Sequence, residues 1–281
     1  MCVQTVPTSD GAELAVYLSG RPSGVPVLLC HGGPGQWDYL EPVAELLPEY
    51  SVHRFDQRGC GRSSGPADYT VAGAVEDIED LRRHWGYQRW AVFGHSWGAT
   101  LALAYAWTHP SRVDRLVYCS GVGPGNDWRA PYREAERARL TVEQFERRQQ
   151  LEQADRAPAE EIEYLTLCWC TDYADPETGL EWARHDATNA PAKVNFTANR
   201  QLSEEAYAWS AEDVATACQQ VTAPTLVVHG EADPRPSWNA RRIAERIAGA
   251  QFTEIPDAGH ELWRENAEDF AAVLRGFLLQ A

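Results

Sequence analysis

Apolar and polar positions fall into two patterns along this chain. Compact apolar runs at 25–30, 52–56, 90–94 and 113–119 read as buried strands. Residues 12–18 follow an Asp10-Gly11 turn and read as a hairpin strand. Between these runs, 40–47, 71–84 and 97–107 carry apolar residues at helical spacing. The same alternation returns late, with strands expected at 225–229 and 252–255 and helices at 237–248 and 265–279. Such alternation predicts a mostly parallel sheet with helices on both faces, an α/β fold. The stretch 124–213 breaks the pattern: it holds no convincing strand, and runs such as 133–153 and 160–170 read as helices. The expected organisation is a core of residues 1–123 and 214–281, interrupted by a helical cap at 124–213. An insert of this kind usually lies over the C-terminal edge of the sheet, where loops build sites.

Composition narrows the function. The chain has 281 residues, is 44% hydrophobic and carries a formal charge of −16. That is ample for a buried core. The acidic balance argues against a nucleic-acid partner, because phosphate binding needs clustered cations. Residues 124–213 alone hold 19 acidic and 10 basic residues. No apolar run is long enough to predict a membrane span. No basic start leads into an apolar stretch, so a cytoplasmic location is expected. Seven scattered cysteines read as reduced core thiols. Cys168 and Cys170 lack the paired spacing of a zinc site, and neither metal nor cofactor is expected.

The most informative segment is Gly94-His95-Ser96-Trp97-Gly98, between an expected strand and an expected helix. That context turns G-x-S-x-G into a sharp turn presenting the serine at a helix N-terminus. The residues two positions either side must then lack side chains for the backbones to pass. A serine hydroxyl needs a base. His260 follows Asp257-Ala258-Gly259, a turn after the last strand, and can face a site from a loop. His95 is expected to pack or hydrogen-bond locally, and the strand residues His53 and His229 to be structural. The imidazole needs an acceptor on its other nitrogen. Asp233 sits just past the 225–229 strand, with Glu231 a close competitor and Asp257 too near His260 in sequence. Asp233 would also serve as a helix cap. The order Ser96, Asp233, His260 fits a catalytic triad on this fold. Oxyanion donors are expected from the backbone amides of Trp97 and Gly33, the latter in the loop His31-Gly32-Gly33-Pro34-Gly35. His31 would brace that loop or bind substrate. The glycine-rich loop at 56–63 lacks G-K-[ST] and reads as a tight strand exit beside it.

At these residues the chain resembles the α/β-hydrolase superfamily. HGGPG at 31–35, DQRGCGRS at 56–63 and GHSWG at 94–98 together resemble the proline iminopeptidase family. The resemblance implies catalytic roles for Ser96, Asp233 and His260, and a small-molecule or short-peptide substrate. It also implies cap carboxylates that recognise a free N-terminal amine. The comparable stretch here, 193–200, carries no acid. Glu204 and Glu205 follow it, and Glu160, Glu161 and Glu163 precede it. Glu204 is the candidate substrate-binding acid, beside His31. An esterase, lactonase or specialised biosynthetic hydrolase of the same fold is the alternative, and a non-catalytic ligand-binding protein is the alternative of another class.

Overall fold

The computed structural model describes residues 2–65 and 68–279. Eight strands form one sheet: β1 Cys2–Pro7, β2 Glu13–Gly20, β3 Pro26–Cys30, β4 Ser51–Phe55, β5 Trp90–His95, β6 Val113–Cys119, β7 Thr225–Gly230 and β8 Gln251–Ile255. Their order is β1-β2-β4-β3-β5-β6-β7-β8. The β1–β2 and β2–β4 pairs are antiparallel and the remainder parallel. β5 is buried along its whole length, as a central parallel strand must be.

Twelve α-helices among the described residues accompany the sheet. α1 Glu41–Glu45, α2 Val71–His84 and α3 Trp97–Thr108 precede β6 or lead into it. Between β6 and β7 come α4 Arg129–Ala138, α5 Val142–Glu152, α6 Pro158–Trp169, α7 Pro176–Thr188, α8 Phe196–Ala208 and α9 Ala211–Cys218. α10 Ser237–Ala244, α11 Leu262–Glu265 and α12 Ala267–Leu278 follow β7. Two apolar clusters lie on the two faces of the sheet. One joins Leu28 and Val92 to α2, α3 and α10 through Ile78, Leu101 and Ile243. The other joins Leu29 and Phe93 to α1 and α12 through Val43 and Phe270. The described thiols are free, and Cys30, Cys60, Cys119, Cys170 and Cys218 are buried. The side chain of Cys2 lies outside the described residues.

Differences from the sequence reading have local causes. β1 was not expected; its strand character comes from its partner, with Val6 opposite Leu14. The run 133–153 is two helices, because Thr141 caps α5 and forms a reciprocal box with Gln144. The terminal run is likewise split at Asn266, which caps α12 by accepting from Asp269 N–H. α7, α8 and α9 start at the caps Asp175, Asn195 and Ser210. α9 runs across position 213, so the expected core boundary falls inside a helix.

Candidate active site

Ser96 lies between β5 and α3 with φ +56° and ψ −118°. A non-glycine residue in that region stores about 1–3 kcal/mol of strain. Its amide donates to Cys119 O (2.9 Å), pinning the turn to β6. The flanking glycines are required sterically. A Cβ on Gly94 would lie 2.0 Å from Gly98 O, and one on Gly98 would lie 2.1 Å from Cys30 O. α3 thus packs backbone to backbone against β3 and β5. Its first-turn amides, Trp97 N–H included, have no carbonyl within the helix to bond.

His260 approaches from the loop after β8, its amide bonded to Asp172 O (2.7 Å). Its Nδ1 lies 2.6 Å from Asp233 Oδ2. Its Nε2 is buried with no hydrogen-bond partner among the described residues. Ser96 and His260 line the same 540 Å³ cavity. The Ser96–His260 bond is therefore not closed here, although the two groups share one wall. Catalytic contacts commonly tighten only when substrate binds.

The side chain of Asp233 is fully buried. Burial opposes its charge, but the imidazoles of His260 and His229 and the nearby Arg235 hold its carboxyl well below the usual range. Oδ1 accepts the Arg235 amide (2.8 Å) and Arg235 Nη1 (3.4 Å). His229 Nε2 is 3.5 Å from Oδ2. The competitors Glu231 and Asp257 are exposed. His229, expected to be only structural, flanks the same carboxylate as His260.

The loop at 31–35 is braced as expected, and the brace includes Gln57. Gln57 N–H donates to His31 Nε2 (3.1 Å), and Gln57 Nε2 donates to His31 O (2.7 Å). Gln57 Oε1 accepts from Trp97 Nε1 (2.9 Å). His31 is wholly buried, its Nδ1 faces Gly32 O (2.8 Å), and it does not line the cavity. Burial pushes its imidazole toward the neutral form. Gly33 does line the cavity, beside Ser96. The 56–63 loop is a strand exit, tied by Asp56 Oδ2 to Tyr17 OH (2.7 Å) and Arg62 N–H (2.9 Å).

Two sets of contacts escaped the sequence reading. His95 was expected to pack or hydrogen-bond locally. It is packed and buried, but its hydrogen bonds are long-range: Nε2 lies 2.9 Å from His260 O, and Nδ1 lies 2.7 Å from Tyr39 OH. A carbonyl only accepts, so Nε2 carries the proton and Nδ1 accepts from Tyr39. Tyr39 OH in turn accepts Gly32 N–H (2.9 Å). Burial, chiefly, pushes the His95 imidazole well below its ordinary range, which keeps this neutral form. The second set comes from the start of α8. Asn195 N–H donates to Gly35 O (2.8 Å), Asn195 Nδ2 to Gly59 O (2.9 Å), and Asn199 Nδ2 to Pro34 O (2.8 Å). Gly35, at φ +89°, has no room for a Cβ, which would lie 2.2 Å from Asn195 O. The stretch compared with the amine-binding motif thus contacts the loop at 31–35.

Glu204 is not brought to the cavity. It is exposed and pairs with Arg200 one turn away (3.2 Å) on α8. Glu205 accepts Val71 N–H (2.8 Å), and Glu160 and Glu163 pair with Arg147. The acids that line the cavity are Glu136, Asp172, Asp186 and Glu261. Each is paired: Glu136 with Arg148, Asp172 with Arg235, Asp186 and Glu261 with Arg264. A second cavity of 260 Å³ opens on the other side of Ser96. Its walls include Trp107, Tyr118, Trp128, Tyr207, Trp209 and Ile243, together with the polar Thr100, Asn199, Ser203 and Arg235.

A strained serine on a strand-to-helix turn, sharing a cavity with an imidazole held by a carboxylate, over a sheet with this strand order, defines the class of α/β-hydrolase architectures. The chain belongs to the alpha/beta hydrolase fold family, whose pattern matches residues 25–267. It is 50% identical over 103 residues to the proline iminopeptidase of Neisseria gonorrhoeae, a stretch covering 35% of this chain and 33% of that one. The matched segment thus spans about a third of the curated relative. Among solved structures, a proline iminopeptidase from Mycobacterium smegmatis superposes with TM-score 0.71 at 24% identity, covering 99% of this chain and 97% of that one. An esterase from Exiguobacterium antarcticum superposes with TM-score 0.75 at 22% identity, covering 99% and 100%. These two likenesses speak to the fold. No helix among the described residues is long and apolar enough to cross a membrane.

Proposed function

We propose that this protein is a serine hydrolase acting on small-molecule or short-peptide substrates through an acyl-enzyme. Ser96 Oγ attacks the substrate carbonyl while His260 Nε2 takes its proton. Asp233 holds the imidazole with Nδ1 protonated and balances the imidazolium that forms. The amides of Gly33 and Trp97 receive the oxyanion, each such donor being worth about 3–4 kcal/mol at the transition state. His260 returns the proton to the leaving group. It then deprotonates a water that attacks the acyl-enzyme and frees Ser96. Residues 124–213 act as a cap that closes both cavities. The observation that carries this reading is the unbonded, buried Nε2 of His260, fixed through Nδ1 at 2.6 Å from Asp233 in the wall that also holds Ser96. A fluorophosphonate probe tests it. Labelling of Ser96 in the parent and none in Ser96→Ala is expected. An unlabelled parent that still binds ligand without turnover would make it a non-catalytic receptor.

Within this class we infer an amidase or aminopeptidase of the proline iminopeptidase type, supported by the three motifs and the partial relatives. A second reading, esterase or lactonase, draws support from the paired state of the cavity acids. An incoming ammonium must compete with Arg148, Arg235 or Arg264 for every one of them. Hydrolysis of prolyl-naphthylamide compared with short p-nitrophenyl esters separates the readings. Equal inactivity toward prolyl and other aminoacyl amides would remove the peptidase.

A further inference from the structure

We propose that Arg235 receives a carboxylate of the substrate next to the bond that is cleaved. The proposal rests on Ser96 being the reaction centre, and it concerns which molecules reach it. Four residues line both cavities: Gly33, Ser96, Tyr132 and Arg235. Tyr132 and Arg235 form the side-chain part of the partition, the guanidinium 4.8 Å from the centre of the tyrosine ring. A substrate held at Ser96 and reaching into either chamber therefore meets walls to which this pair contributes.

The hydrogen bonding of Arg235 is incomplete. Its Nη1 donates to Asp172 Oδ1 (2.7 Å) and reaches Asp233 Oδ1 (3.4 Å). Nε and Nη2 have no partner among the described residues, and they are not sealed off by packing. Two buried arginines of the same protein behave differently. Arg58 and Arg82 each commit all three side-chain nitrogens to carboxylates or carbonyls. Arg235 therefore keeps two donors of its planar fork open at the cavity wall, the geometry that binds a carboxylate through two parallel bonds.

The surrounding charge fits a singly charged group. Asp172 and Asp233 occupy the far edge of the guanidinium and disfavour a dianion there. Arg139 supplies a second cation nearby: it donates to Thr171 O (2.7 Å), Tyr173 O (3.1 Å) and Ala232 O, with no ion pair among the described residues. Arg264 also uses only Nη1, but it lines the larger chamber alone and already serves Asp186, Glu261 and Tyr173. In the free C-terminal residue of a dipeptide, only the nitrogen and Cα separate the carboxylate from the scissile carbonyl. That places the negative charge beside Ser96, as this partition requires.

Calorimetric titration tests the assignment without needing turnover. 3-Phenylpropionate is compared with 3-phenylpropionamide, and prolyl-alanine with prolyl-alaninamide on Ser96→Ala. The parent should bind 3-phenylpropionate about 20-fold tighter than its amide, the scale of a hydrogen-bonded charge pair. Arg235→Met should abolish the preference, and Arg235→Lys should keep only part of it, since a point charge lacks the fork. Arg264→Met should leave it in place. Equal affinity of acid and amide for the parent, or no binding of either, overturns the proposal whatever the variants do. So does a preference that survives Arg235→Met or disappears in Arg264→Met. If 3-phenylpropionate shows the preference and neither dipeptide binds, the carboxylate site stands and the dipeptidyl substrate falls. Absence of fluorophosphonate labelling would instead defeat the hydrolase reading.

Discussion

Asp233→Asn is a nearly isosteric change with a sharp consequence. The two carboxylate oxygens face different demands. Oδ1 accepts a backbone N–H (2.8 Å) and lies 3.4 Å from a guanidinium nitrogen, both on Arg235. Neither donor can become an acceptor. Asparagine must therefore keep its carbonyl oxygen at the Oδ1 position and present its NH₂ to His260. Nδ1 of His260 then accepts, and the ring proton moves to Nε2, the nitrogen that has to take the serine proton. The same exchange in a Ser-His-Asp protease costs about 10⁴ in kcat. At 1.36 kcal/mol per decade, that is about 5.4 kcal/mol. The assay is single-turnover acylation by a p-nitrophenyl ester, with circular dichroism confirming an intact fold. A loss of about 10³–10⁴ in acylation rate is expected, with little change in substrate affinity. A folded variant that keeps a tenth of the parent rate refutes the assignment of Asp233, and with it the orientation argument for His260.

Gly98→Ala forces a Cβ to within 2.1 Å of Cys30 O and 2.5 Å of His31 O, and both atoms are backbone. It should cost about 3 kcal/mol or more, lowering Tm by roughly 6–12 °C in a thermal melt. Asn199→Ala removes the 2.8 Å bond to Pro34 O. Loss of about 1 kcal/mol of loop placement predicts roughly five-fold lower kcat with KM unchanged, measured by steady-state kinetics. His53 is buried, and burial pushes its imidazole down to about 4. The unfolded chain, with an imidazole near 6.5, binds the extra proton first as pH falls. Stability on the order of 3 kcal/mol is therefore present above pH 6.5 and lost progressively as pH drops toward 4. Tm followed across that window should fall, and His53→Gln should flatten the slope; an unchanged slope removes His53 as the cause.

Much of the core was readable because its strands carry their own signal. β5 is apolar throughout, and Gly94 and Gly98 bracket Ser96 where backbones meet. Asp233 and His260 could be picked from loops just past strand ends, since those ends converge at one edge of a parallel sheet. β1 could not, since only its pairing with β2 makes it a strand. His95 bonds a carbonyl 165 residues away, and no local pattern announces that distance. Arg235 sits between two prolines with nothing in the sequence to mark an open fork. Glu204 shows the reverse: the structure pairs it with Arg200 at i,i+4 spacing on an exposed helix face, a spacing the sequence also contains. The helical insert was harder to divide because its helices start at polar caps such as Asp175 and Asn195, whose signal is short.

The bonds from Asn195 and Asn199 to Pro34 and Gly35 bear on how this protein can be recombined. A chimera that exchanged residues 124–213 for the equivalent part of another hydrolase would also strip two carbonyls of the donors they receive from Asn195 and Asn199. Such a graft would have to import its own 31–35 segment, or carry asparagines at matching places. Domain shuffling in this molecule is thus limited to blocks that travel together across 165 residues of sequence, and new specificities would arise more readily by point changes in the walls than by exchange of the roof.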